Sequence, residues 1–131
     1  MGQDDRLRLS ESEWRVMEAL WEGPATLMEL VRALHERAGW AKSTVTTMVR
    51  RMEEKGLIRH TEGGRTKTFY PAVERAAAAA AETESLLERA YHGSAGLLVS
   101  SLVRRERLSR AEIDALYALL EEQKEGIRPA P

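Results

Sequence analysis

The chain has 131 residues, 43% of them hydrophobic and 5% aromatic, with a formal net charge of −1. That length allows one small domain with an extension, around a core of Leu, Val, Ala and Met. The absence of cysteine excludes disulfides, thiolate metal sites and thiol redox sensing and fits a cytoplasmic protein, no apolar run is long enough to span a membrane, and residues 1–10 lack the apolar stretch of a signal peptide.

The first helical pattern opens at Ser10, with Glu13 three residues on at the spacing of a capping box. Trp14, Met17, Leu20 and Trp21 recur at helical spacing, with Val16 beside them, and Gly23-Pro24 ends the helix. The short segment 23–26 can add a strand to a small sheet. Thr26 is the N-cap of a second helix, with Glu29 in the reciprocal position; its apolar stripe is Leu27, Leu30, Val31 and Leu34, and Gly39 ends it.

A third helix is expected from about Lys42 to Lys55. Val45, Met48, Val49 and Met52 fall at i, i+3, i+4 and i+7 and face the core. That leaves Ser43, Thr44, Thr46, Thr47, Arg50 and Arg51 for the outer surface, and Gly56 stops the helix. Residues 57–61 and 66–70 are strand-like. The intervening Glu62-Gly63-Gly64-Arg65 has two adjacent glycines to supply the positive φ of a tight hairpin turn. Pro71 closes the unit.

Composition changes from Val73. The alanine run 76–81 is a strong helix former, and the pattern continues through Leu86, Leu87, Ala90 and Tyr91 to Gly93. Segment 95–103 is apolar on nearly all faces, at Leu97, Leu98, Val99, Leu102 and Val103, which predicts burial on more than one side. Ser109 with Glu112 opens a last helix with the stripe Ile113, Leu116, Tyr117 and Leu120, and 126–131 is expected to be a disordered tail.

The charge distribution is more telling than the total. Residues 42–67 hold seven cations (Lys42, Arg50, Arg51, Lys55, Arg59, Arg65, Lys67) against Glu53, Glu54 and Glu62, a net of +4, so the other 105 residues carry −5. Hydroxyls at 43–47 can be an ordinary solvated face. Following two apolar helices and preceding a basic Gly-Gly hairpin, they form what a winged helix needs to read duplex DNA. Short hydroxyls let the helix sit deep in the major groove, where they bond phosphates or bases and set methyls against thymine. Arg65 and Lys67 at the hairpin tip can be simple solubilising charge; on a wing they reach backbone phosphate.

Other chemistry is poorly supported. His35, His60 and His92 lie in different elements without ligand spacing, so neither metal nor cofactor is expected. There is no nucleophile elbow, phosphate loop or HExxH, so an enzyme is not expected. The alanine run favours a helix over a flexible tether. It leads into a dimerisation region that would bury segment 97–103 and would suit a palindromic DNA site.

The residues resemble the BlaI/MecI penicillinase-repressor family, which includes the CopY copper repressors. Leu9-Ser10, Glu13-Trp14, Val16-Met17 and Leu20-Trp21 look like its opening LSxxEWxVMxxLW. Gly39-Trp40, Ser43-Thr44-Val45, Thr47, Arg51-Met52, Lys55-Gly56 and Tyr70-Pro71 continue the likeness, and Leu108-Ser109 with Glu112-Ile113 corresponds further on. The resemblance covers about residues 7–123 and is most specific over the first 71.

It implies a homodimeric winged-helix repressor on an inverted repeat near promoters. Thr44 and Thr47 match the family's base-facing threonines, with Lys42, Ser43, Arg50 and Arg51 as phosphate partners around them. In antibiotic-responsive members a membrane sensor-protease signal leads to cleavage in the dimerisation region. The matching bond here is Ser101-Leu102, where those members carry Asn-Phe. Copper-responsive members carry a C-terminal cysteine cluster, which this chain lacks.

The expected fold is mainly α with a small antiparallel β-hairpin. A winged helix-turn-helix domain over 1–72 is followed by a helical dimerisation region over 73–125. The expected DNA-binding residues are Lys42, Ser43, Thr44, Thr46, Thr47, Arg50, Arg51, Arg65 and Lys67. The expected dimer contacts are Leu86, Leu87, Tyr91, Leu98, Leu102, Val103, Ile113, Leu116, Tyr117 and Leu120. The expected partners are double-stranded DNA with a palindromic operator, a second copy of the chain and, by resemblance, a sensor-protease system. The competing reading is a winged-helix module for protein interaction without specific DNA reading, which should show an apolar patch where the basic window lies.

Overall fold

The computed structural model describes residues 5–126, as two compact units that meet in sequence between Leu86 and Leu87. The first begins with a 3-10 turn, Asp5–Leu7, followed by α1, Glu11–Glu22. The Ser10 hydroxyl accepts from the Glu13 backbone N–H at 3.1 Å and the Glu13 carboxylate accepts from the Ser10 N–H at 2.9 Å. These two bonds satisfy amides that the helix itself cannot. Thr26 and Glu29 do the same for α2, Leu27–Ala38. α2 stops at Gly39, whose φ of 70° lies in the left-handed region.

α3 spans Lys42–Glu54. It ends in a Schellman closure: Leu57 N–H donates to the Met52 carbonyl at 2.9 Å and Gly56 N–H to the Glu53 carbonyl at 3.0 Å. This needs a left-handed residue, and Gly56 supplies it with φ 83°. Strands β2, Ile58–Gly63, and β3, Thr66–Pro71, follow, and β1 is Ala25–Thr26. The sheet order is β1-β3-β2, antiparallel throughout, with Ala25 opposite Phe69 and Gly63 opposite Thr66. The expected extra strand before α2 is present.

The turn differs in detail from the expectation. Only Gly64 has positive φ, at 83°, whereas Gly63 closes β2. The loop is therefore the two residues Gly64-Arg65, with positive φ at its first position, a type II′ pattern that favours glycine there.

One core serves this unit. Val16, Met17 and Leu20 of α1, Leu30 and Leu34 of α2, and Val45, Val49 and Met52 of α3 are buried, with Leu57, Ile58 and Phe69 from the hairpin. Trp14 and Trp21, one α1 stripe apart, meet edge-on at 5.7 Å and pack on this core half-buried. α4, Arg75–Tyr91, begins on the same unit. Val73 and Ala78 join the core, and Arg8 donates to the buried Ser85 hydroxyl at 3.3 Å. The compact unit thus runs past the composition change at Val73, because small alanines let a helix pack closely.

The second unit contains the end of α4, α5 (Ala95–Arg104) and α6 (Arg110–Gly126). Ser94 caps α5, and Ser109 with Glu112 forms a third capping box. None of its described residues is buried. The expected burial of segment 95–103 is therefore corrected for the single chain: Leu97, Val99 and Val103 are about half exposed, and Leu102 is exposed as well. Three short helices have too little facing surface to enclose an all-round apolar segment. Gly126, placed in the expected tail, is the last residue of α6, and 127–131 lie outside the described residues.

Candidate nucleic-acid interface

α3 is held to the core by Val45, Val49 and Met52, with Met48 partly buried beside them. Since side chains advance 100° per residue, the opposite face is fixed: Ser43, Thr47 and Arg50 lie along it, with Thr44 and Arg51 on one flank and Thr46 on the other. Lys42, Ser43, Thr44, Thr46, Arg50 and Arg51 are exposed, and Thr47 is half-exposed among them. The N-cap is Ala41, which offers no side-chain acceptor, and the first turn has no acidic residue. The Thr44 N–H already donates to the Ala41 carbonyl at 3.1 Å, which leaves the Lys42 and Ser43 amides and the positive end of the helix dipole for an anion.

The four hydroxyls are not equivalent. Thr46 Oγ1 donates to the Lys42 carbonyl at 2.9 Å, so its hydrogen is engaged within the helix and its oxygen can only accept from outside. Among the described residues, Thr44 and Thr47 have no such bond and keep both a donor and an acceptor.

The hairpin brings its tip to the same side. Thr46, Arg50 and Glu53 of α3, Arg65, Thr66 and Lys67 of the wing, and Leu27 and Met28 of α2 line one open cleft of about 460 Å³. Lys42, Ser43, Thr44, Thr47 and Arg51 lie on the α3 surface outside this lining. Among the described residues, no carboxylate lies within ion-pair distance of Lys42, Arg50, Arg51, Arg65 or Lys67. The Glu53 carboxylate in the cleft bonds His60 Nδ1 instead, and Glu62 lies 3.5 Å from His60 Nε2.

Two cations of the basic window are committed elsewhere. Lys55 pairs with Glu13 at 2.8 Å, tying the end of α3 to the start of α1, and the Arg59 guanidinium stacks over Tyr70 at 4.9 Å. Their contribution to the +4 window is structural in part.

Sequence reasoning missed Met28. It lies off the stripe Leu27-Leu30-Val31-Leu34, an apolar residue on the outer face of the first turn of α2, and that mismatch was the available signal.

The proposed dimer contacts lie on three helices. Leu86, Leu87 and Tyr91 of α4 and Leu98 of α5 are half-buried. Leu102, Val103, Ile113, Leu116, Tyr117 and Leu120 are exposed. Within the second unit, Val103, Ile113, Leu116, Tyr117 and Leu120, with Val99 and Leu108, line an apolar groove of about 410 Å³. The Ser101-Leu102 bond lies inside α5, where the Tyr91 hydroxyl donates to Ser101 Oγ at 3.3 Å.

The penicillinase repressor from Bacillus licheniformis is 29% identical over 118 residues, covering 89% of this chain and 92% of that protein. The methicillin resistance regulatory protein MecI of Staphylococcus aureus (strain N315) is 26% identical over 113 residues, covering 86% of this chain and 92% of that protein. Among solved structures, the complex structure of hsRosR-S4 superposes with a TM-score of 0.55 at 21% identity, over 90% of this chain and 99% of that one, a likeness of fold. The family model described as penicillinase repressor matches residues 9–122, and with hydroxyl-rich helix and basic wing in place, the chain belongs to the penicillinase repressor family.

Proposed function

We propose that this chain is a transcriptional repressor that binds an inverted-repeat operator in double-stranded DNA as a homodimer. The observation that carries this reading is the meeting of a hydroxyl-bearing helix face with Arg50, Arg65 and Lys67, none of them neutralised by a described carboxylate. Thr44 and Thr47 read base edges in the major groove. Lys42, Ser43, Arg50 and Arg51 hold the flanking phosphates, Thr46 accepts from its flank, and Arg65 with Lys67 fixes the adjacent backbone. The Bacillus licheniformis relative named as a repressor matches 89% of this chain, and the family model matches residues 9–122, which supports the same role here.

The apolar groove of the second unit is closed by a second copy, and two reading helices related by a twofold axis match a palindrome. Such a protein works beside the chromosome, in the cytoplasm. An interaction-only winged helix would present an apolar patch on α3, but that face is hydroxyl and cationic. Repression is a matter of occupancy and requires no bond-making step. If release proceeds by proteolysis at Ser101-Leu102, α5 must first open locally, since a bond inside a hydrogen-bonded helix does not present an extended backbone.

A mobility-shift titration with duplex DNA from the protein's own upstream region tests the reading. A salt-sensitive shift that survives excess random DNA is expected. The absence of any sequence-selective shift at moderate ionic strength would refute it.

A further inference from the structure

We infer that Met28 is an apolar contact to the operator, seated against the carbon surface of the nucleic acid between phosphates held by Arg50 and by the wing. This rests on the operator-binding reading above and adds a residue to it. Met28 is 53% exposed, while the other large exposed apolar side chains among the described residues all lie at 97 or beyond. A single exposed apolar residue is ordinary by itself. Its location is not: it lines the same cleft as Arg50, Arg65 and Lys67.

Its position is fixed by the capping box of α2. Thr26 and Glu29 bond each other reciprocally, which sets the first turn and orients Leu27 toward the core and Met28 outward. The first helix of a helix-turn-helix crosses the DNA backbone near this end. The cleft's charge suits that occupant, with three cations along its walls and its only carboxylate, Glu53, bonded to His60.

Between consecutive phosphates a strand presents deoxyribose carbons, and in the groove it presents thymine methyls. Neither offers a hydrogen bond, so neither is used by the hydroxyls and cations around Met28. An unbranched, polarizable thioether adapts to either surface.

The test compares wild type, Met28→Ala, Met28→Leu and Lys67→Ala of the full chain. Binding to a duplex from its own upstream region and to a scrambled duplex of equal length is measured by fluorescence anisotropy over a salt series. Met28→Ala should weaken binding about fivefold, the scale of half-burying one such side chain, with the salt slope unchanged. Met28→Leu should retain affinity. Lys67→Ala should lower the slope by roughly 1.

Replacing operator thymines one at a time by deoxyuridine, which lacks the methyl, separates the two surfaces. A thymine whose replacement weakens wild type but not Met28→Ala identifies a methyl contact. Equal loss on both duplexes, with no such thymine, identifies deoxyribose. Wild-type affinity in Met28→Ala, or a changed slope, overturns the inference while leaving operator binding intact. Failure of the wild type itself to bind overturns both. Met28 is half exposed, so an unchanged thermal midpoint is expected and confirms that folding is not the cause.

Discussion

The two units use similar apolar residues to opposite ends. In the first, a core drawn from three helices and a hairpin takes Met17, Leu34, Val45, Met52 and Leu57 to essentially no exposure. In the second, no described residue is buried, and Leu97, Val103, Tyr117, Leu119 and Leu120 are half exposed or more. The difference is one of geometry rather than composition. A compact core needs elements approaching from several directions, and the first unit has a sheet and three crossing helices. The second has three helices with one shared groove, so its apolar surface stays open in the single chain. One unit encloses its own core, while the other leaves an apolar groove for the second copy proposed above.

The largest effect is expected at the groove. Leu120→Asp, on an exposed position of α6, places a charge in the proposed twofold interface once from each copy, with an unfavourable desolvation each time. Light scattering should fall from twice 14.7 kDa to 14.7 kDa, while the first unit keeps its fold. An unchanged mass at micromolar concentration would mean that the groove is not the interface.

The converse change is Leu34→Ala, at a fully buried position. It should cost the first unit about 2–5 kcal/mol in denaturant unfolding, the usual range for an emptied core site. An effect under half a kcal/mol, roughly that of a surface change, would contradict the packing described.

Sharpening the first unit further, Thr47→Ala removes a hydroxyl without disturbing the core. A loss of up to about 1–3 kcal/mol in operator affinity is expected, with random DNA unaffected. Equal loss on both would reassign Thr47 to phosphate. Arg65→Ala should weaken binding on every sequence and reduce the salt slope by roughly 1; an unaltered slope would remove the wing from the backbone.

The smallest effect is on pH. The Thr26 backbone N–H, with its hydroxyl second, holds the Glu29 carboxyl below its ordinary value, and Ser109 does the same for Glu112. The bidentate bond from Arg37 lowers Glu22. A depressed carboxylate contributes stability that is complete above its unfolded pKa, near 4.5, and lost as pH falls through the folded value. Thermal midpoints should be flat from neutrality to about pH 5 and fall below it. Glu112→Gln should flatten only the part belonging to the second unit, and a midpoint that rises on acidification would contradict the caps.

Much of this was legible from local chemistry. The three capping boxes, the stripe that faces α3 inward and the Gly56 stop are short-range features, written within a few residues of where they act. The hydroxyls of α3 were recognisable because a helix with one apolar stripe leaves only one other face. What was not legible depended on distant residues. The engagement of Lys55 by Glu13 and of Glu53 by His60 commits these side chains elsewhere without a trace in the spacing. The hydrogen of Thr46 is spent on Lys42 only once the helix is formed. Met28 falls outside the α2 stripe, and only the folded hairpin places it in one cleft with Arg65 and Lys67.

Where helices start and stop, which side of each faces inward, and that the basic charge belongs with the hydroxyl-rich helix are all written in the residue order. Those are consequences of periodicity and capping, which act over one or two turns. That Thr46, Arg50, Arg65 and Lys67 share a cleft with Met28, and that segment 97–103 stays open in the single chain, emerges only on folding. Both depend on how much surface neighbouring elements can bring to bear, a property of their crossing in space that no local pattern contains.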